Sequence, residues 1–161
     1  KEFYADVENP VLTIACDIGI LTADKFADKS APLYWKLKSE ITYYEIGNKK
    51  MLLLPCELFP ELAFGGALRA EESATGKGAE ANPPLLCDIV EDKEILIFGL
   101  SNDELGYVLP PNDFWLNEKS PYVDNGRDKH NRRHYEETNS MGPKTAEIIA
   151  NTVADLVNAI K

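Results

Sequence analysis

The feature that most limits the fold of this chain lies near its C-terminus. After Gly142-Pro143, the residues Ala146, Ile149, Ala150, Val153, Leu156, Val157 and Ile160 recur at helical spacing and make one apolar face. Such a stripe must be covered by another layer of structure. Pro143 suits the opening of the helix, where its missing N–H costs nothing. The rest of the chain therefore has to supply a surface for a long amphipathic helix, and its apolar runs read as strands.

Residues 11–20, Val-Leu-Thr-Ile-Ala-Cys-Asp-Ile-Gly-Ile, are β-branched and apolar and predict a buried strand. Residues 24–39 are turn-rich and show no clean period. From Ser39 to Ile46 the sequence alternates around Ile41, Tyr43 and Tyr44. The turn Gly47-Asn48 and the run Lys50 to Leu54 then complete a predicted β-hairpin. A helix is expected over 59–70 with Leu58, Leu62 and Leu68 inward, and a short buried strand over 94–99. Residues 70–84 have the composition of a mobile surface loop. Residues 112–135 read as a long irregular connection, a kind of segment that is often functional. Strands alternating with helices give an α/β or α+β fold: a layered mixed sheet with the C-terminal helix packed on it, residues 1–161 forming one domain.

Charge narrows the function. The chain carries 27 acidic against 17 basic residues, a formal net charge of -10. A cationic face for nucleic acid or anionic lipid is not expected. Arg127, Lys129, Arg132 and Arg133 form the one basic cluster, a solvated loop or, as the sharper reading, an anion or carboxylate clamp. Cys16, Cys56 and Cys87 are odd in number and have no CxxC spacing, so no disulfide framework or zinc ribbon is expected, in keeping with a reducing compartment. No apolar run reaches the length of a membrane span. The opening Lys1-Glu2-Phe3-Tyr4 reads as a piece of a longer protein, which leaves the compartment open.

Two residues stand where chemistry is usually found. Glu57 follows the apolar strand Met51-Leu52-Leu53-Leu54, and Tyr107 follows the strand over 94–99 and the turn Ser101-Asn102-Asp103. Ligands of α/β sheets bind beyond the carboxyl ends of strands. If the two strands are parallel neighbours, both side chains reach the same end of the sheet. The plainer readings are a helix-start carboxylate and a tyrosine at the edge of the core. His130 and His134 have the i, i+4 spacing of a metal-binding pair, but Arg132 and Arg133 lie between them and the stretch is loop-like, so solvated histidines are expected. The acidic turn Asn102-Asp103-Glu104 offers too few ligands for a cation.

Three ordered segments carry a resemblance. They are Leu53-Leu54-Pro55-Cys56-Glu57-Leu58-Phe59, then Phe98-Gly99-Leu100-Ser101-Asn102-Asp103-Glu104-Leu105-Gly106-Tyr107, then His134-Tyr135-Glu136-Glu137-Thr138-Asn139-Ser140-Met141-Gly142-Pro143. Together they resemble the C-terminal part of the catalytic domain of the neutral/alkaline non-lysosomal ceramidases and their bacterial relatives, over residues 51–161. The resemblance implies a zinc-dependent amidase acting on N-acyl amides, with Glu57 and Tyr107 as metal ligands. The ion of that family polarises the amide carbonyl and activates water. Asn102, Tyr135 and Glu136 would lie near the pocket.

Two departures qualify the resemblance. Cys56 stands where the family has glycine, and the loop from Ala70 to Pro84 lengthens the spacing between the two ligands. The family's two zinc histidines belong to its upstream half and match neither His130 nor His134. The chain is thus expected to bind zinc poorly and to be inactive alone, with the upstream part of the same polypeptide as its partner. The rival reading is a non-enzymatic α/β structural or interaction module on a hydrolase-derived scaffold. A third is a metal-independent hydrolase pairing Glu57 with Glu61.

Overall fold

A computed structural model describes residues 1–160. Three small sheets and five short to medium helices share one core, an α+β arrangement. The first sheet joins β1 (Glu2–Asp6), β2 (Lys25–Ala27) and β3 (Trp35–Glu40), all antiparallel, with β3 in the middle. Phe3, Ala5 and Val7 alternate inward, as one face of a half-covered sheet requires. β2 and β3 lie within the stretch whose sequence shows no period.

The expected hairpin forms from β4 (Thr42–Ile46) and β5 (Lys49–Leu53), paired antiparallel across Gly47-Asn48. β7 (Leu96–Phe98) pairs with β5 in parallel. It is a strand as expected, but an open edge: Leu96 and Phe98 are 44% and 48% exposed, while Ile95 before them is buried. The third sheet, β6 (Glu57–Leu58) beside β8 (Tyr107–Val108), is parallel. It continues the β5–β7 pair, because residues 99–106 stay bonded to the 54–57 backbone on the way. Leu100 N–H donates to the Cys56 carbonyl (3.2 Å), and Leu105 N–H to that of Pro55 (2.7 Å).

The run 11–20 is a helix and not a buried strand: α1 spans Pro10–Asp17. Asn9 caps it, its side-chain oxygen accepting from Val11 N–H at 2.9 Å, and Pro10 takes a first-turn position. Leu12 and Cys16, one turn apart, pack against the core, whereas Ile14 and Ile18 face outward. Asn9 is itself fully buried. Its amide donates to the carbonyls of Thr138 and Ser140, so one side chain both starts α1 and fastens it to a distant segment.

The helix expected over 59–70 is only α2 (Pro60–Phe64), stopped by Gly65-Gly66. Leu62 faces inward as expected, while Leu58 and Leu68 are only half-buried. The loop over 70–84 makes hydrogen bonds to residues 112 and 113. Ser73 is buried, Ala74 N–H donates to Asp113, and the Asn112 amide donates to the Leu68 carbonyl at 2.8 Å. Residues 112–135 are irregular, as expected, with a single isolated bridge between Arg127 and Arg133.

α3 (Leu86–Ile89), α4 (Tyr135–Thr138) and α5 (Thr145–Asn158) complete the chain. α5 packs on α3, β1 and β4. Its expected face buries Ala146, Ile149, Ala150, Val153 and Val157 into a core with Ile41, Leu52 and Leu54, but Ile160 is exposed beyond the last turn. No helix among the described residues is long and apolar enough to cross a membrane.

Candidate functional site

Glu57 and Tyr107 are register partners across the parallel β6–β8 pair. Directly paired residues project to the same side of a sheet, and both side chains line one cleft of about 330 Å³. The arrangement follows from the backbone around them. Glu57 N–H donates to the Gly106 carbonyl (3.0 Å), and Tyr107 N–H to the Asn139 carbonyl (3.1 Å). Gly106 has φ +74°, and a Cβ there would lie 2.1 Å from the Asn139 oxygen, so only glycine admits so close an approach. The glycine preceding the tyrosine thus sets where the tyrosine stands.

The Tyr107 ring makes edge contacts with two others, Phe59 at 6.5 Å and Tyr135 at 6.3 Å between centroids. Its phenol pKa is raised, first by the Glu57 carboxylate, then by partial burial and the more distant Tyr135 and Glu136. Two oxygens that would both be anionic repel each other. A cation between them reverses that penalty, and a carboxylate with a phenolate suits zinc as a donor pair.

The other expected residues separate. Tyr135 opens α4 and lines the cleft, half exposed. Glu136 is half-buried and does not line the cleft, though its charge reaches Tyr107. Asn102 sits in an exposed turn with φ +74° and is not part of the cleft wall. Cys56 is wholly buried, and burial pushes its thiol pKa up to about 12, with the Glu57 charge adding to the effect. It fills the core behind the site as a neutral thiol.

Glu57 lies in a strand and Glu61 in α2, so the two have no i, i+4 helical relation. His130 is exposed and His134 is 5% exposed. They share no helix face, and the expectation of two solvated histidines fails at His134. Arg132, although partly exposed, is paired. It clamps Asp113 and Asp128, at 2.7 and 2.8 Å. Among the described residues, no group of three or more His, Cys, Asp or Glu side chains is placed to hold a metal ion.

Part of the cleft lining comes from the first fifty residues, for which the sequence suggests no role in the site. Leu12 and Cys16 of α1, Leu21, Trp35 and Leu37 line the same cleft as Glu57 and Tyr107. The signal available in sequence was Asn9-Pro10, a helix start. Glu104 adds a second carboxylate to the rim. No family model, curated protein or solved structure matches this chain.

Proposed function

We propose that the chain carries half of the zinc site of an amidase-like hydrolase of the ceramidase type, acting on N-acyl amides. Glu57 and Tyr107 serve as two of the metal ligands. The observation that carries this reading is their pairing in register on a parallel strand pair, both aimed into one cleft. Zinc bound there supplies polarisation of an amide carbonyl and activation of water.

This chain's residues hold and orient. Glu57 presents a carboxylate from a strand end. Phe59 and Tyr135 fix the plane of the Tyr107 ring. Leu12 and Cys16 of α1 add apolar lining to the cleft, which lowers the polarity around a charge held there. Two oxygen donors fall short of the three protein ligands usual in a catalytic zinc site, so the remaining ligands come from polypeptide outside these 161 residues. Alone, the chain is expected to be inactive.

The test is the zinc content and amidase activity of a polypeptide that joins this chain to its upstream segment. Stoichiometric zinc, lost together with hydrolysis of an N-acyl amide in Glu57→Ala, is the expected result. Zinc retained at full stoichiometry in Glu57→Ala and in Tyr107→Phe removes both residues from the site.

A further inference from the structure

Behind the cleft lies a buried set of charged groups that the zinc reading does not use. Both ring nitrogens of His134 face carboxylates: Nδ1 is 2.5 Å from Glu137 Oε1, and Nε2 is 3.2 Å from Asp128 Oδ2. The side chains of Asp128, His134 and Glu137 are 0%, 6% and 2% exposed. A neutral imidazole has one donor and one acceptor nitrogen, so it would turn a lone pair toward one of these oxygens. Nδ1 shares a hydrogen bond with Glu137, whereas Nε2 lies at ion-pair distance from Asp128 without hydrogen-bond alignment; only the imidazolium turns an N–H toward both carboxylates.

The remaining groups facing this cluster fit a charged ring. Arg132 bridges Asp128 to Asp113, Trp115 N–H donates to Glu137 Oε1, and the Trp115 ring lies 5.1 Å from the imidazole. With a neutral His134, Arg132 alone would offset Asp113, Asp128 and Glu137.

The cluster connects directly to the cleft. His134 is the residue from which α4 starts, and Glu137 lies on α4. A helix of four residues has little stability of its own, so its side-chain anchors decide where it sits. Its first residue places the Tyr135 ring against Tyr107, and its C-terminal cap, Asn139, accepts the Tyr107 N–H.

We infer that His134, as an imidazolium bridging Asp128 and Glu137, is the positioning residue for the Tyr107–Tyr135 wall of the cleft. It holds α4, and through the Asn139 carbonyl it holds Tyr107, without touching a ligand itself. The His134 pKa is raised: burial opposes the charge, and the hydrogen bond and charge of Glu137, then the close approach of Asp128, outweigh it. The wall is therefore firm below that value and loosens as pH rises through it.

The experiment is native-state hydrogen exchange of the whole chain, without added metal, over a pH series with His134 followed by ring NMR. The Tyr107 amide is expected to lose about tenfold in protection across the His134 titration, as for the loss of one charge-assisted contact holding the local structure closed. The loss shares the His134 midpoint, while Val153 in α5 shows no step there. Glu137→Gln lowers the midpoint, and the Tyr107 step moves with it. A Tyr107 protection that ignores the His134 titration overturns the inference. So does a step shared equally with Val153, which makes the cluster a general stability element. The wild-type series needs no variant to fold, and because no metal is present its outcome is independent of the zinc reading.

Discussion

Replacing Gly106 with alanine adds one methyl group where the chain has least room for it. At φ +74° any residue with a Cβ is strained, at a cost of about 1–2 kcal/mol. The new carbon would also stand 2.1 Å from the Asn139 carbonyl oxygen, a backbone atom that no side-chain rotation can move aside. The two segments must part, and the Tyr107 N–H bond to that same oxygen goes with them, a further loss of about 0.5–1.5 kcal/mol. The expected destabilisation is about 1.5–3.5 kcal/mol. Gly47 provides the control. It has φ +62°, and a Cβ there would meet nothing within 4 Å, so Gly47→Ala should cost only the backbone strain. Urea unfolding of the two variants measures the difference at constant m-value. Gly106→Ala should be the worse by about 1 kcal/mol or more. Equal losses in the two, or a Gly106→Ala midpoint matching wild type, would refute the close approach on which the placement of Tyr107 rests.

Asn9→Ala should cost about 2–4 kcal/mol in urea unfolding, because it removes a helix cap and leaves the carbonyls of Thr138 and Ser140 without their buried donor; a loss below about 0.5 kcal/mol would contradict that double role. Glu57→Gln should lower the Tyr107 phenol pKa, since the carboxylate charge is the leading cause of its elevation. Residue-resolved tyrosine NMR in alkaline titration would show it, and an unchanged Tyr107 would mean that the two side chains do not face each other. Stability should also depend on pH at both ends. The folded His134 pKa is raised, so its contribution is complete below about pH 6.5 and disappears as pH climbs through the folded value. Asp128 behaves oppositely. Burial raises its pKa, but hydrogen bonds from the Arg132 backbone and side chain, the nearby His134 ring and a hydrogen bond from the His130 backbone hold it well below the usual carboxylate range. Its contribution is present above about pH 3.9 and lost on acidification below that. Urea midpoints that stay flat across both windows would contradict the buried network.

What the sequence reveals here depends on how local the deciding interaction is. The α5 stripe and the Gly47-Asn48 hairpin are set by neighbours a few residues apart, and both read correctly from periodicity and turn chemistry. The convergence of Glu57 and Tyr107 is legible because each follows an apolar strand, and two parallel strands carry their ends to one place. The run 11–20 is not, since a short apolar stretch fits a strand or a helix equally. What selects the helix is the Asn9-Pro10 start, anchored by carbonyls about 130 residues further along the chain. His134 misleads for a related reason. Its flanking arginines suggest a solvated loop, but Asp128 and Glu137 close over the ring from both sides, and the folded backbone brings Asp113 and Trp115 up against them. Asn102 falls outside the cleft wall because it stands on an exposed turn between Ser101 and Leu105, the two residues whose N–H groups tie this segment back to the Leu54 and Pro55 carbonyls.

The most direct check on the Glu57–Tyr107 half-site is a zinc titration of this chain with the tyrosine ring-carbon resonances resolved. A carboxylate and a phenol that share a cation should give one selective shift toward phenolate, at Tyr107, in excess zinc and near neutral pH, and Glu57→Gln should abolish it. No movement at Tyr107, or an identical shift in Glu57→Gln, would mean that the register pairing builds a wall of the cleft and not a place for a metal.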